Sequence, residues 1–381
     1  MAAPVRILHL HSTFDLGGKE ARAVRLMNAF GDAARHTVVS ATPRALGARA
    51  AIDPGLDVEF PADVPLAGRT GPGRLHRLAR FCAPFDLVLT YNWGAIDAVM
   101  ARRLFGGPPL IHHEDGFNQD EILRQKPVRV AWRRLALPAA YRLIVPSHVL
   151  EIIAESNWHQ PPDKILRIAN GIAVDRFARG PEEGAIPGFH RASNEIVVGT
   201  LAGLRAVKNL PRLVRAFAAA ARMAEKPMRL VIVGEGPERE TILATARAEG
   251  VAEHMLLPGF LPDPARYMGH FDIFALSSDS EQAPISLVEA MATGLPVVAT
   301  AVGDIVSMVA PENSAFIVRA DDEAAFAQSL AAVASGDALR VRLGTANRRH
   351  AGEYFREEGM IAAYRSVYNA ALGKEMALGR P

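Results

Sequence analysis

The chain has 381 residues, of which 49% are hydrophobic and 22% charged; that excludes wholesale disorder and exceeds what one ordinary core takes up, so two domains are expected. Lys and Arg number 43 against 41 Asp and Glu, a net charge of +2, too even a balance for a dedicated nucleic-acid binder. A single cysteine, Cys82, excludes an internal disulfide framework and a thiolate metal cluster.

Val5–Leu10 predicts a first strand. No long apolar stretch of the signal-peptide kind precedes it, and no run approaches the roughly 20 apolar residues that cross a bilayer, so a cytoplasmic protein is expected. His11–Gly18 reads as a loop, and Lys19–Phe30 has helical spacing through Ala21, Val24, Leu26, Met27 and Phe30. Gly17-Gly18-Lys19 is not a P-loop, because Thr13 stands where the first Gly belongs and Glu20 where Ser or Thr belongs. The two glycines let the backbone approach a ligand or simply form the turn into the helix.

His36–Ser40, Asp86–Thr90, Pro109–His112 and Leu143–Val145 follow as short apolar strands bounded by Gly, Pro or Asp, the pattern of buried parallel strands. Arg69–Arg80 and Arg124–Arg134 are basic, with interleaved Leu, Val and Trp132. They read as amphipathic helices with Arg on the solvent side, or as surfaces for an anionic membrane or acceptor. His112-His113-Glu114-Asp115-Gly116-Phe117 sets four titratable groups at the carboxyl end of a strand, a place that belongs to a crevice more than to a core. Two adjacent His point in different directions and no third ligand motif accompanies them, so a metal is not expected there.

Arg179–Gly188 is rich in Gly and Pro and reads as a linker. Residues 1–176 carry 22 basic and 17 acidic side chains and the remainder 21 and 24, which suggests different binding tasks for the two halves. The same grammar then restarts. Glu195–Gly199 is a strand. Thr200–Asn209 is a loop holding Arg205 and Lys208, and Leu210–Met223 is a helix with Pro211 in its first turn. Leu230–Val233 leads into Gly234-Glu-Gly-Pro237, which lacks the third Gly of a dinucleotide fingerprint. Met255–Leu257, Ile273–Leu276, Pro296–Thr300 and Ala315–Val318 are further strands, Ile285–Thr293 is a helix closed by Gly294, and Tyr354–Leu372 has helical spacing. Two Rossmann-like α/β domains in tandem are expected, over residues 1–175 and 176–354, with the C-terminal helix of about 355–381 packing back on the first.

In the segment Ser277–Pro296, Glu281 stands at a strand end before a Pro, and Glu289 follows after seven residues, inside a helix with apolar neighbours. Free backbone N–H groups and the helix dipole at such a spot suit a phosphate. Two flanking carboxylates suit paired sugar hydroxyls, since an ionised carboxylate only accepts. Arg205 and Lys208 would neutralise phosphates where charge develops. No Asp-x-Asp occurs, so metal-dependent nucleotide-sugar binding of that type is not indicated, and no Gly-x-Ser-x-Gly elbow anchors a hydrolase triad.

Glu281-x7-Glu289 followed by Ala-Met-Ala-x-Gly-x-Pro-Val-Val-Ala-Thr closely resembles the retaining GT-B glycosyltransferases of family 4. Asn170-Gly-Ile-x-x-Asp175-x-Phe177 resembles the family's interdomain segment, Leu230–Pro237 its second-domain strand and turn, and Gly17-Gly18 its N-terminal glycine loop. The resemblance implies two Rossmann-like domains facing a cleft, with the donor nucleotide mainly on the second and the acceptor on the first. It implies that Glu289 holds the ribose hydroxyls and Glu281 the transferred sugar. The backbone around Pro284, Ile285 and Ser286 would face sugar and phosphate, with Gly17, Gly18 and Gly234 also on the donor. His113 or Asp115 would approach the transferred sugar, so that His113, Asp115, Lys208 and Glu281 form the expected catalytic set. The family pattern places an Arg at position 203; here Gly203 stands there and Arg205 follows two residues on, while Gln282 replaces a frequent Gly.

The expected activity is metal-independent, retaining hexosyl transfer from a nucleotide diphosphate sugar to a glycan, lipid-linked or small-molecule hydroxyl. It needs no cofactor beyond that co-substrate, and takes place in the cytoplasm or at the inner face of the membrane. An epimerase on the same scaffold and a non-catalytic nucleotide-sugar-binding protein are the alternatives.

Overall fold

The computed structural model describes residues 3–379 except 16, 63, 118–120, 122–123 and 375–376. Two compact units divide the chain: unit 1 is Met1–Asn170 with Glu358–Pro381, and unit 2 is Gly171–Glu357.

Unit 1 is built on β1 (Val5–His11), β2 (Ala34–Ser40), β3 (Val58–Glu59), β4 (Leu87–Tyr91), β5 (Leu110–His113), β6 (Arg142–Val145) and β7 (Ile165–Arg167). The strands pair in the order β3-β2-β1-β4-β5-β6-β7, all parallel. Strand alternation sends Val5 and Ile7 to one core and Leu8 and Leu10 to the other. The Leu8 side is covered by helices Pro72–Cys82, Ile96–Phe105, Pro127–Ala136 and His148–Ser156. The Ile7 side is covered by helix Gly18–Phe30 and by Met360, Tyr364, Val367 and Tyr368 of the C-terminal helix. The strand order reverses between β1 and β4.

Unit 2 repeats the plan with β8 (Ile196–Leu201), β9 (Met228–Val233), β10 (Met255–Gly259), β11 (Ile273–Leu276), β12 (Val297–Thr300) and β13 (Ile317–Val318), in the order β10-β9-β8-β11-β12-β13. The reversal falls between β8 and β11. Leu213 and Phe217 of helix Leu210–Met223 and Phe326 and Leu330 of helix Glu323–Ser335 fill one core; full burial of such a side chain contributes about 1.5–3 kcal/mol. Helix Ile285–Thr293 buries Leu287, Val288, Ala290, Met291 and Ala292 and ends at Gly294, whose φ of 83° is the left-handed C-terminal stop.

Three features depart from the sequence reading. β3 and β7 have two and three residues, too short for any periodicity to mark. The helix expected over 354–372 starts three residues later, running Glu357–Leu372, because a preceding helix, Asp337–Tyr354, ends there and Phe355 and Arg356 separate the two. Those two residues leave the helix to pair with Ile172, whose N–H donates to Phe355 O (2.9 Å) and whose carbonyl accepts from Glu357 N (2.9 Å), while Arg356 forks onto Asp175. The units divide at Asn170/Gly171, ahead of the Gly- and Pro-rich stretch. That stretch docks within unit 2, where Glu182 meets Arg266 through its backbone N–H (2.7 Å) and its carboxylate (2.7 Å). Composition marks irregular backbone but not whether it is docked.

Candidate functional site

The loops that leave the carboxyl ends of β8, β11 and β12 meet at the reversal point of unit 2. Asn209 starts the construction. It stands in the left-handed region (φ 42°, ψ 50°), which Asn tolerates, and its side chain caps helix Leu210–Met223 through Arg212 N (3.3 Å). Its amide nitrogen also donates to both oxygens of Asp279 (3.1 Å each), which Arg212 engages at 2.7 Å. Ser277 Oγ donates to the carbonyls of Lys208 (3.0 Å) and Asn209 (2.9 Å), so the 202–209 loop is tied to the 277–281 loop. Thr300 Oγ1 holds the carbonyl of Ser278 at 2.6 Å from β12. Gly303 (φ 57°) lies directly beneath, where a Cβ would run into the Glu281 carbonyl oxygen.

On this frame Lys208 Nζ donates to Glu281 Oε1 (2.5 Å), and Ser278 Oγ donates to the same oxygen (2.7 Å). Glu281 lies in the loop rather than at the strand end, since β11 stops at Leu276. Its Oε2 has no bonded partner among the described residues and remains able to accept a hydroxyl. Arg205 is exposed, and its guanidinium has no bonded partner among the described residues. Pro284 precedes helix Ile285–Thr293 with no side-chain cap and no acid in the first turn. The N–H groups of Ile285 and Ser286 therefore present the positive end of the helix. Glu289 is nearly buried further along that helix. The helix packs against the 264–270 segment that follows β10, where burial, and after it the Glu289 carboxylate, push the Tyr267 hydroxyl up. Gly234 (φ 145°) ends β9 against the 202–209 loop, where a Cβ would strike the Ala202 carbonyl. Arg205, Lys208, Gly234, Glu281, Pro284, Ile285, Ser286 and Glu289 thus belong to one edge of one sheet.

Gly17, Gly18, His113 and Asp115 belong to unit 1. Gly17 is extended (φ −145°), a backbone any residue adopts, and it begins helix Gly18–Phe30 without a side-chain cap. His113 does not open into a crevice. It is fully buried, with Nδ1 3.1 Å from the Thr90 carbonyl and Nε2 2.9 Å from the Tyr368 hydroxyl. Burial, and then the Arg22 guanidinium, push its pKa down to about 3. His112 is equally buried, against Thr90 Oγ1 (2.8 Å), and Glu114 accepts from Arg133 Nε (3.1 Å). The cause is that β5 lies inside the sheet with a core on each face, so neighbouring side chains both point inward. Asp115 alone of the four reaches the surface, and Arg22 grips both its oxygens (2.5 and 2.9 Å) while also holding Asn170 (3.1 Å). Burial works to raise the Asp115 pKa, but the Arg22 charge and hydrogen bonds outweigh it and hold the carboxylate below its usual range.

Residues 185–350 match the family described as "Glycosyl transferases group 1" and residues 17–171 that described as "Glycosyl transferase 4-like domain". The chain belongs to the group 1 glycosyltransferases. It is 25% identical to a D-inositol 3-phosphate glycosyltransferase of Kribbella flavida, across 93% of this chain and 92% of that one. It is 27% identical to an N-acetyl-alpha-D-glucosaminyl L-malate synthase of Bacillus anthracis over 177 residues, about half (46%) of each chain. The HepE protein of Anabaena, solved in complex with UDP and glucose, shares the fold with a TM-score of 0.78 at 18% identity, covering 96% of this chain and all of that one. The two parallel-sheet domains are thus those of a GT-B glycosyltransferase.

Local sequence does not mark the residues that build this candidate site as distinct from those that face outward. Asn209 carried a signal, since Asn before Leu210-Pro211 is a helix N-cap followed by an early Pro. Ser278 and Asp279 lie in the polar run after β11 and were legible as loop only. Arg22 had no local signal, because its partners lie 93 and 148 residues away.

Proposed function

We propose that the protein transfers a sugar from a nucleotide diphosphate sugar to an acceptor hydroxyl, with retention at the anomeric carbon and without a metal, in the cytoplasm or at the inner face of the membrane. The observation that supports this most is the spare bonding capacity at the reversal point of the unit 2 sheet. Among the described residues it consists of a free oxygen on Glu281, an unpaired cation on Arg205 and an open helix end at Ile285 and Ser286. The diphosphate takes the helix end and Arg205, the transferred sugar takes Glu281, and Glu289 takes the ribose hydroxyls. Lys208, held between Glu281 and the phosphates, answers the charge that develops on the leaving group. In same-face attack that leaving phosphate also takes the acceptor's proton, so the protein's share is positioning and charge stabilisation. UDP and glucose in the Anabaena protein and the sugar-transfer names of the two relatives support the donor class. On unit 1, Asp115 is the residue of the expected pair that can meet an acceptor; His113 is committed within the core.

An acceptor held at an anionic membrane is favoured by unit 1. The helix layer on the Leu8 side leaves Leu104, Phe105, Val128 and Leu135 exposed beside exposed Arg77, Arg80, Arg103 and Arg134. Other Arg residues of the basic stretches turn inward instead: Arg74 pairs with Asp97, and Arg133 with Glu114. No helix of the described residues is long and apolar enough to cross a membrane.

The test is to incubate UDP-, GDP- and ADP-sugars with lipid-linked and soluble acceptors in chelator, following nucleoside diphosphate release and the product's anomeric configuration by NMR. Release with retention supports the reading; an inverted product or a need for added metal contradicts it. Isomerised donor without acceptor would mark the epimerase, and binding without release a silent binder.

A further inference from the structure

One face of helix Asp337–Tyr354, in unit 2, borders a groove of about 610 Å³. That lies within the roughly 300–1,000 Å³ of small-ligand sites. Val341, Thr345, Arg348 and Gly352 follow one another along it at helical spacing, and Arg356 continues the line past the helix end. Glycine gives the groove its depth. Gly344 lies so close to Gly294 that a Cβ would run into the Gly294 carbonyl, and a Cβ on Gly352 would meet nothing within 4 Å.

The charge of the groove is one-sided. Arg348, Arg349 and Arg356 line it, and no carboxylate does. Arg349 donates to Glu312 (3.0 Å) and Arg356 forks onto Asp175 (3.0 and 3.1 Å), but both acids stand outside the lining. These pairs are open to solvent, where an ion pair is weak and readily exchanged for another anion. Arg348 Nη2 donates to the Thr293 carbonyl, and its other nitrogens have no bonded partner among the described residues.

A guanidinium stays charged at every physiological pH, and its planar fork matches two oxygens of one phosphate. A carboxylate fills one such fork, whereas a phosphoryl or diphosphoryl group has oxygens for several. We propose that this groove binds a phosphate-bearing ligand through Arg348, Arg349 and Arg356. None of the residues assigned to the donor edge lines it, and the site does not rest on the functional reading above. One bond links the two places. Thr293 ends the helix that carries Glu289, so occupancy of the groove and the seating of that helix share the Arg348 guanidinium.

The test titrates the full-length protein with inorganic pyrophosphate and, separately, with phosphatidylcholine vesicles containing phosphatidylglycerol. Hydrogen exchange over residues 341–356 is the readout. Protection by pyrophosphate assigns a soluble phosphate ligand; protection by the anionic vesicles alone assigns a lipid headgroup. Because the donor edge would also take pyrophosphate, the titration is repeated in Lys208→Ala, where protection of 341–356 is expected to persist. Gly352→Glu puts a carboxylate into open space between Arg348 and Arg356 and is expected to weaken binding roughly tenfold or more. A side chain there has room within a helix, so the fold is kept. Arg349→Gln should weaken binding roughly three- to tenfold. No protection of 341–356 by either ligand, protection that vanishes in Lys208→Ala, or binding that Gly352→Glu leaves unchanged overturns the site. Absence of transfer activity would overturn the functional reading and leave this site standing.

Discussion

The carboxyl edges of the two sheets spend their polar groups differently. In unit 2, among the described residues, Glu281 keeps one oxygen unengaged, Arg205 stands unpaired and the helix after Pro284 opens without a side-chain cap. In unit 1, Arg22 occupies both oxygens of Asp115, and His113 has both ring nitrogens taken. The first edge leaves donors and acceptors open among the described residues. The second is satisfied from within, so its polar groups serve mainly to hold a loop in place. Clustered titratable residues look alike in a sequence, and spare bonding capacity is what separates a binding edge from a structural one.

The largest effect should come from breaking the satisfied edge. Arg22→Ala leaves the Asp115 carboxylate without its partner in a largely buried place, which costs about 3–5 kcal/mol. All three Trp residues, Trp93, Trp132 and Trp158, lie in unit 1, so denaturant unfolding followed by Trp fluorescence reads that unit alone. A loss under 1 kcal/mol would show that the pair is not holding the loop.

Acid should sharpen the same contrast. Burial pushes His36 down to about 4 and His113 to about 3, and lowers His9 and His11 as well. These groups are uncharged when folded but take up protons below about pH 6.5 when unfolded. Their contribution is therefore complete above pH 6.5 and is lost as pH falls towards 4 and 3, on the order of 3 kcal/mol for His36 alone. The Trp-monitored midpoint should fall steadily between pH 7 and 4.5; a flat midpoint would mean the histidines are not held neutral.

Substitutions at the open edge should spare stability and weaken binding. Glu289→Gln removes a charged acceptor and should weaken nucleoside diphosphate binding by about 1–3 kcal/mol in calorimetry; unchanged affinity would remove the ribose assignment. Arg205→Ala should have the smallest effect, a few-fold loss that fades as salt is raised, because the side chain is exposed. A salt-independent loss would mean that Arg205 acts through the loop and not by charge.

Much of this was legible beforehand. The strands of both units other than β3 and β7, the 285–293 helix and the Glu281/Glu289 spacing follow from period, turn residues and motif, all of them local signals. What was not legible depends on partners far along the chain. His113 and Asp115 are two residues apart in sequence, yet one is sealed under Tyr368 and the other gripped by Arg22, and neither contact leaves a local trace. Lys208 and Glu281 were read as separate contacts to phosphate and sugar, and only the fold shows them joined to each other. The helix break at Phe355 follows from pairing with Ile172, which no helical pattern encodes.

Docking of a nucleoside diphosphate at the β8/β11 reversal of unit 2 can be read by hydrogen exchange of the full chain with and without saturating UDP, GDP and ADP. One of them is expected to slow exchange in residues 203–209 and 278–289. Protection confined to other segments, with these two unchanged while the nucleotide is bound, would contradict it.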